Sequence, residues 1–276
     1  MSWYRSRDLA VRYLLLLAVL GLTIGPLLWQ FLASIKGSGE AIFGEAATLL
    51  PKDPTLDAYQ RVFEQVPMAR YMLNSLIVCG LTITSQVIFP TLAGYMMSRR
   101  GWRGKQAVFA VLIVSMIFPF ESIMVSLYLQ TQALGLLDTL VGVWLPGAIA
   151  AVNVLIMRAT FAAVPDEIED AALLDGAGEW QRFWHLFLPT AVGSLMVVVI
   201  NSFIAAWDDF LWPFIILRDE HRLTLTLGLS RMAESSLGFD IRTVMAGSII
   251  AIAPLIVLFV VLQRWFFKGV EQGAVK

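Results

Sequence analysis

The stretch YLLLLAVLGLTIGPLLWQFLASI, residues 13–35, contains no charged side chain. A helix needs about 20 mainly apolar residues to cross the hydrocarbon core of a bilayer, because every backbone N–H and C=O must be satisfied within the segment. Residues 13–35 meet that requirement and read as a membrane-spanning helix. Arg5, Arg7 and Arg12 precede the run, as they would in a secretory signal. Its apolar length exceeds the roughly 7–15 residues of a signal core, and it lacks a clear small-x-small cleavage site, so the helix is expected to be retained.

The same reading carried along the chain yields six spans, at about 13–35, 71–98, 106–130, 139–160, 187–212 and 243–267, within one transmembrane domain of residues 1–276. The third is interrupted by Glu121. Pro90, Pro119, Pro146 and Pro254 fall inside spans and are expected to kink them. Composition agrees with this reading. The chain is 58% hydrophobic and 15% charged, with a mean hydropathy of +0.73, against about 45–50% and 25% in soluble domains. The expected fold class is therefore all-α and integral to a membrane, with six transmembrane helices.

Several function classes fall away. A net charge of -1 without a basic block gives nucleic acid no footprint. Cys79 is a lone cysteine, and His185 and His221 stand far apart, so no disulfide framework or spaced metal-ligand set is present. No G-x-x-x-x-G-K-[ST] phosphate loop occurs, so nucleotide is not hydrolysed here by that route.

Lys and Arg in the short loops set the orientation. RRGWRGK, residues 99–105, is rich in Arg and Lys, whereas the loop around Leu134 to Leu137 has neither. Both termini are therefore expected in the cytoplasm. On the outer side, the segment from Lys36 to Arg70 includes PTLDAYQRVF, residues 54–63. It reads as a short amphipathic helix with Leu56, Tyr59, Val62 and Phe63 on its apolar face.

That topology puts VPDEIEDAALLDGAGEWQRFWHLFLP, residues 164–189, on the cytoplasmic side as a loop over 165–186. Pro165 suits a first helical turn, and Asp166, Glu167, Glu169 and Asp170 sit where the helix dipole favours negative charge. Ala171 and Ala172 leave a low patch that another surface can approach. Gly176 is a natural helix stop. A second helix follows, with Trp180, Phe183, Trp184 and Phe187 as its apolar side. The pattern leaves two readings open: a connector resting on lipid headgroups, or a helix docking into a cleft of another protein.

These residues also carry a resemblance. EDAALLDGA, residues 169–177, resembles the E-A-A-x-x-x-G loop of bacterial ABC importer permeases in its sugar-importer form, E-[ED]-A-A-x-x-D-G-A. TLDAYQRVF (55–63), YMLNSLIV (71–78), LAGYMMSRRGWRGK (92–105), WDDFLWPFI (207–215) and GVEQGAVK (269–276) resemble further motifs of that family, in the same order. The chain is thus similar to the shorter, six-helix permease of carbohydrate-type importers, with a type I ABC importer permease architecture and a cytoplasmic coupling helix. It departs from the family pattern at Asp170, where glutamate is usual, and at Asp208, where asparagine is common.

The resemblance implies a translocation subunit for a sugar or a related polyol or glycerol-phosphate solute, in the bacterial cytoplasmic (inner) membrane and surrounded by lipid. It implies no cofactor in this chain and no enzymatic role, with ATP and Mg bound by two partner ATP-binding subunits. It further implies a second permease chain that completes a heterodimer, and an extracytoplasmic solute-binding protein that delivers cargo. Glu169, Asp170, Ala171, Ala172, Asp175, Gly176 and Ala177, with Gly273 and Lys276 of the tail, would couple to the ATPase. Pathway candidates are Glu121, an acid inside a span, the amides Asn74, Asn153 and Asn201, and Trp207, Asp208 and Asp209 near the outer end of the fifth span. Hydrogen bonding between helices is the competing role for the amides, as for Gln86. A different class of function, an ion-gradient transporter using Glu121 and Asp208, remains as the alternative. An intramembrane enzyme built on Asp208 and Asp209 is disfavoured, since adjacent helical residues point about 100° apart.

Overall fold

In the computed structural model, residues 2–99, 102–234 and 240–274 are described, with side-chain surroundings given for residue 9 and within 11–263. Among them every regular element is helical. The chain opens with α1 (Ser2–Ser34), then α2 (Asp57–Gln65), α3 (Met68–Ser98), α4 (Lys105–Ser115), α5 (Phe120–Ala133) and α6 (Leu140–Trp144). A 3₁₀ turn (Leu145–Gly147) leads to α7 (Ala151–Ala162), α8 (Asp166–Leu174) and α9 (Glu179–Arg182). After a π turn (Phe183–Phe187) come α10 (Leu188–Thr190), α11 (Val192–Trp207), α12 (Leu211–Ile216), a second 3₁₀ turn (Glu220–Arg222), α13 (Leu225–Glu234) and α14 (Ile241–Ala274).

Four stretches are long and apolar enough to cross a membrane as they stand: Val11–Ser34, Met68–Ser98, Val192–Ile216 and Ile241–Gln263. The other two expected spans are bent pairs, each broken at a proline expected to kink it. α4 and α5 meet at 104°, and α6 with its 3₁₀ turn meets α7 at 47°. The cause of the first bend is Pro119, whose ring disfavours helical backbone at the residue before it and which stands extended (φ -66°, ψ 143°) as the N-cap of α5. The second bend follows Pro146 and Gly147, with Ala150 extended before α7 starts. Pro90 and Pro254 lie inside α3 and α14, which run on through them.

The chain divides into two compact units, residues 1–69 with 229–253, and residues 70–228 with 254–276. In the first, Ala33, Ile42 and Met245 form a small core with Trp29 against it. The segment after α1 is held by charge. Lys36 is buried and its Nζ donates to the carbonyls of Ala41 (3.2 Å) and Thr48 (2.5 Å). The Glu40 carboxylate accepts from the backbone N–H groups of Lys52 (2.9 Å), Asp53 (2.8 Å) and Gly37 (3.2 Å). Arg242 donates to the Gly37 carbonyl and, at 2.8 Å, to Asp240, which also pairs with Arg61. α2 exists where the sequence placed it, but turns differently. Ala58 and Val62 are the buried side, and Tyr59 hydrogen-bonds Ser34 at 2.8 Å. Leu56 and Phe63, expected on the apolar face, are exposed.

In the second unit, Tyr95, Met157, Phe161, Phe183, Phe187, Ala191 and Val198 pack into one core. Tyr95 stands edge-on to Phe161 and Phe183, with centroids 5.8 and 5.1 Å away. α3 and α7 come together at Gly94, where an added Cβ would lie 2.6 Å from Met157 Cβ and 2.7 Å from the Arg158 backbone nitrogen. Close approach of helices over a small residue is a usual device in membranes, where packing rather than water drives association.

Two outcomes follow. Gly94→Ala should force α3 and α7 apart at a cost of about 1–3 kcal/mol, read as a lowered melting temperature of the detergent-solubilised chain. Backbone N–H donors from Lys52 first, then Asp53, outweigh the upward push of burial and, with Gly37 and the Lys36 charge, hold the Glu40 carboxyl below its ordinary 4.5. A lowered folded-state value means that its contribution is present above 4.5 and is lost as pH falls through the folded value. Limited proteolysis of residues 37–55 should therefore accelerate only below pH 4.5, and Glu40→Gln should cleave at the fast rate already at neutral pH.

Candidate functional site

The acidic stretch folds as a helix with a defined stop. Pro165 is the N-cap of α8, and Asp166, Glu167 and Glu169 lie in its first turn, beside the N–H groups that carry the positive end of the helix dipole. At the other end the chain reverses through Gly176, at φ +78°, a left-handed conformation that costs a side-chain-bearing residue about 1–2 kcal/mol. The N–H of Ala177 donates to the Ala172 carbonyl (2.9 Å) and that of Gly176 to Leu173 (3.0 Å). This is the paired bonding of a Schellman ending, which satisfies carbonyls the helix leaves orphaned. The following helix starts at Gly178, whose N–H is capped by the Gln181 side chain at 2.9 Å. Its apolar side divides: Phe183 and Phe187 enter the core, while Trp180 and Trp184 stay exposed. Leu188 N–H reaches back five residues to Phe183 O. This widened turn stands directly before Pro189, which has no N–H to give and whose ring crowds the preceding turn.

Glu169, expected among the coupling residues, turns inward. It is 4% exposed. One carboxylate oxygen takes Arg99 Nη1 at 2.8 Å and the other takes Arg182 Nη1 at 2.5 Å. Arg182 also pairs with Glu179 at 2.9 Å, and Tyr95 donates its hydroxyl to Glu179 at 3.1 Å. Glu169 and the two arginine side chains are nearly buried, whereas Glu179 is exposed, as is Asp166, 3.9 Å from Arg99; a carboxylate held out of water in this way needs such partners. Sequence reading missed this clamp. Arg99 was visible only as one charge of a basic loop, and Arg182 as a helix residue thirteen positions from its partner.

With Glu169 turned inward, α8 presents Asp170, Ala171 and Asp175 outward, and a shallow groove beyond them is lined by Ala172, Asp175, Gly176, Ala177, Gln181 and His185. Lys276 and the side-chain surroundings of Gly273 lie outside the described residues.

The pathway candidates separate into two groups. Asn153, Asn201 and Asp209 line one cleft of about 210 Å³ in the second unit, with Gln86, Ser202, Phe120, Trp144 and Trp212. Their amides form a chain: Asn201 Nδ2 donates to Asn153 Oδ1 (3.1 Å), and Asn153 Nδ2 donates to Gln86 Oε1 (3.0 Å) and Ser202 Oγ (3.3 Å). Gln86 bridges the break before α7, donating to Gly147 O at 2.7 Å and accepting from Ala150 N–H at 3.1 Å. Asp209 stands beside the start of α12, taking Trp212 N–H at 3.4 Å.

Four candidates lie elsewhere. Asn74 is buried and donates to the carbonyls of His221 (3.0 Å) and Leu223 (2.9 Å), so it ties down the turn before α13. Trp207 is buried, stacked on Phe203 with centroids 5.3 Å apart. Asp208 caps the end of α11 and is exposed. Glu121 lies in the first turn of α5 rather than in the middle of a straight span, where the dipole offsets part of its charge.

Comparison with known proteins places these features in context. The family described as "Binding-protein-dependent transport system inner membrane component" matches residues 86–272. The arabinooligosaccharides transport system permease protein AraQ of Halalkalibacterium halodurans is 30% identical over 258 residues, covering 92% of this chain and 92% of that protein. The diacetylchitobiose uptake system permease protein NgcG of Streptomyces coelicolor is 27% identical, covering 97% and 89%. The lactose transport system permease protein LacG of Rhizobium radiobacter is 28% identical, covering 96% of each. Among solved structures, a chain of a bacterial ABC transporter involved in the import of the acidic polysaccharide alginate shares the fold, with a TM-score of 0.84 at 24% identity, over 95% of this chain and 98% of that one.

Removing one partner of a buried pair costs about 3–5 kcal/mol, whereas an exposed substitution stays within about 0.5 kcal/mol. Glu169→Ala should therefore raise hydrogen exchange throughout Asp166–Leu174, while Glu167→Ala, at an exposed position, leaves it near the native rate. Gly176→Ala should give an intermediate rise, by about 1–2 kcal/mol of local opening.

Proposed function

Since the chain belongs to the family of binding-protein-dependent transport system inner membrane components, we propose that it is a permease subunit of an ATP-driven ABC importer, taking a sugar or a related polyol or glycerol-phosphate solute across the bacterial inner membrane. The observation that carries this reading is α8. It is a short acidic helix whose inner face is bound by Glu169 and whose outer face offers Asp170, Ala171, Ala172, Asp175 and the Gly176–Ala177 turn. Such a helix suits a cleft on a separate ATPase subunit. Two such subunits bind ATP and Mg, and their closure pushes α8. The tail through Gly273 to Lys276 adds to the same contact. Both termini lie in the cytoplasm, a second permease completes a heterodimer, and a solute-binding protein delivers cargo from outside.

The names of the relatives point to oligosaccharide cargo. The cleft supports that class. It brings the accessible Asn201 and Asp209 into one lining with Phe120 and Trp144, over the buried Asn153, Gln86 and Trp212, a combination that offers hydroxyl groups hydrogen-bond partners and ring faces apolar contact. Asn153, Asn201 and Asp209 are therefore the residues assigned to the pathway in this chain.

The test is reconstitution with the ATPase subunits, the second permease and the solute-binding protein in sealed vesicles. Uptake should require ATP. Ala172→Arg, which crowds the low patch, and Gly176→Pro, which removes the N–H given to Leu173, should abolish solute-stimulated ATP hydrolysis while the chain still inserts. Uptake that persists without ATP and collapses with an ionophore would instead support an ion-gradient transporter and overturn the assignment.

A further inference from the structure

Arg99 follows immediately on α3, and its guanidinium reaches three other parts of the second unit. Nη1 meets Glu169 of α8 at 2.8 Å, Nη2 donates to the Phe161 carbonyl near the end of α7, and Cζ lies 4.3 Å over the Phe187 ring in the π turn. Nε is occupied too, donating to Ser98 Oγ at 3.1 Å. The side chain is 9% exposed and Glu169 6%. A planar fork of donors can serve a carboxylate, a carbonyl and a ring face at once, whereas an ammonium is a single point charge. Glu169 uses its second oxygen for Arg182, which carries the linkage on to α9. Sliding α8 past the end of α3 would break charged hydrogen bonds between side chains less than a tenth exposed.

We propose that Arg99 is the positioning residue that locks α8, α9 and the cytoplasmic ends of α3 and α7 into one lever, so that a push on α8 moves α3 and α7 without slip. This rests on α8 being the ATPase-docking helix, and goes beyond it by naming what the displacement is delivered to. The outward face of α8 receives force and the Glu169–Arg99 face passes it on. The division explains why one acid of the stretch is buried while its neighbour Asp170 is exposed.

The experiment uses the assembled importer in lipid nanodiscs. The buried native cysteine is removed as Cys79→Ser, and nitroxides are placed at the exposed positions Met96 of α3 and Glu167 of α8 as M96C and E167C. The labelled complex must retain ATP hydrolysis. Electron–electron distances are read without nucleotide and after trapping with Mg-ATP and vanadate. The lever predicts one narrow α3–α8 distance that stays the same in both states. With Arg99→Ala the trapped-state distance should broaden, and maximal binding-protein-stimulated hydrolysis should fall roughly tenfold at an unchanged half-saturating binding-protein concentration. Arg99→Lys, keeping charge without the fork, should recover only part of that loss. Glu169→Gln carries the same expectation as Arg99→Ala should the latter fail to insert. A native distance that shifts between the two states overturns the lever, as does Arg99→Ala with a narrow distance and full stimulation. Failure to trap any complex with an ATPase overturns the importer reading and the lever together, an outcome distinct from the other two.

Discussion

A hydrocarbon layer offers no water to an unpaired peptide group, and each one left unsatisfied there costs several kcal/mol. The rest of the structure follows from how the chain meets that constraint where its helices break. Straight spans meet it internally. The bent fourth span, between the Leu145–Gly147 turn and α7, does not, and Gln86 from α3 repairs it by bonding Gly147 O and Ala150 N–H. Trp212 does the same for the Gly142 carbonyl, at 2.9 Å from its indole nitrogen. These repairs recruit Asn153, Asn201 and Ser202 into a hydrogen-bonded chain, and the cleft they line exists because the helix is broken there. Backbone repair and a polar surface inside the span are therefore one arrangement.

On α8 the same economy of partners appears with full charges. A carboxylate held out of water needs compensation on both oxygens, and Glu169 has a different arginine on each. One arginine follows α3 and the other belongs to α9, so charge balance ties separate elements together. The aromatic core of Tyr95, Phe161, Phe183 and Phe187 lies beneath them, and keeps the pairs from solvent. Burying Glu169 leaves the alanine pair and the remaining acids of the stretch to face outward.

Much of this was legible beforehand. Apolar run lengths located the membrane helices, since crossing a bilayer is a requirement of length and polarity that any one segment must meet alone. Gly176 announced the end of α8 because only local backbone geometry is involved, and the pair of bonds to Ala172 and Leu173 bears that out. The order of family motifs pointed to an importer permease, and the family match over residues 86–272 agrees.

What the sequence determined by itself, then, are properties carried by neighbouring residues: helices, their stops, and membrane character. The tertiary structure alone decided which polar side chains serve structure and which line a cleft. Asn74 and Asn153 look alike in sequence, each an amide in an apolar run, yet one holds the carbonyls of His221 and Leu223 and the other joins the cleft network. Asp208 and Asp209 are adjacent, yet one is exposed at a helix end and the other lines the cleft. Glu169 and Asp170 divide in the same way. The physical reason is that a polar group's role depends on the donor or acceptor opposite it. For these residues that partner lies up to 149 positions away in the chain, where no local pattern can register it.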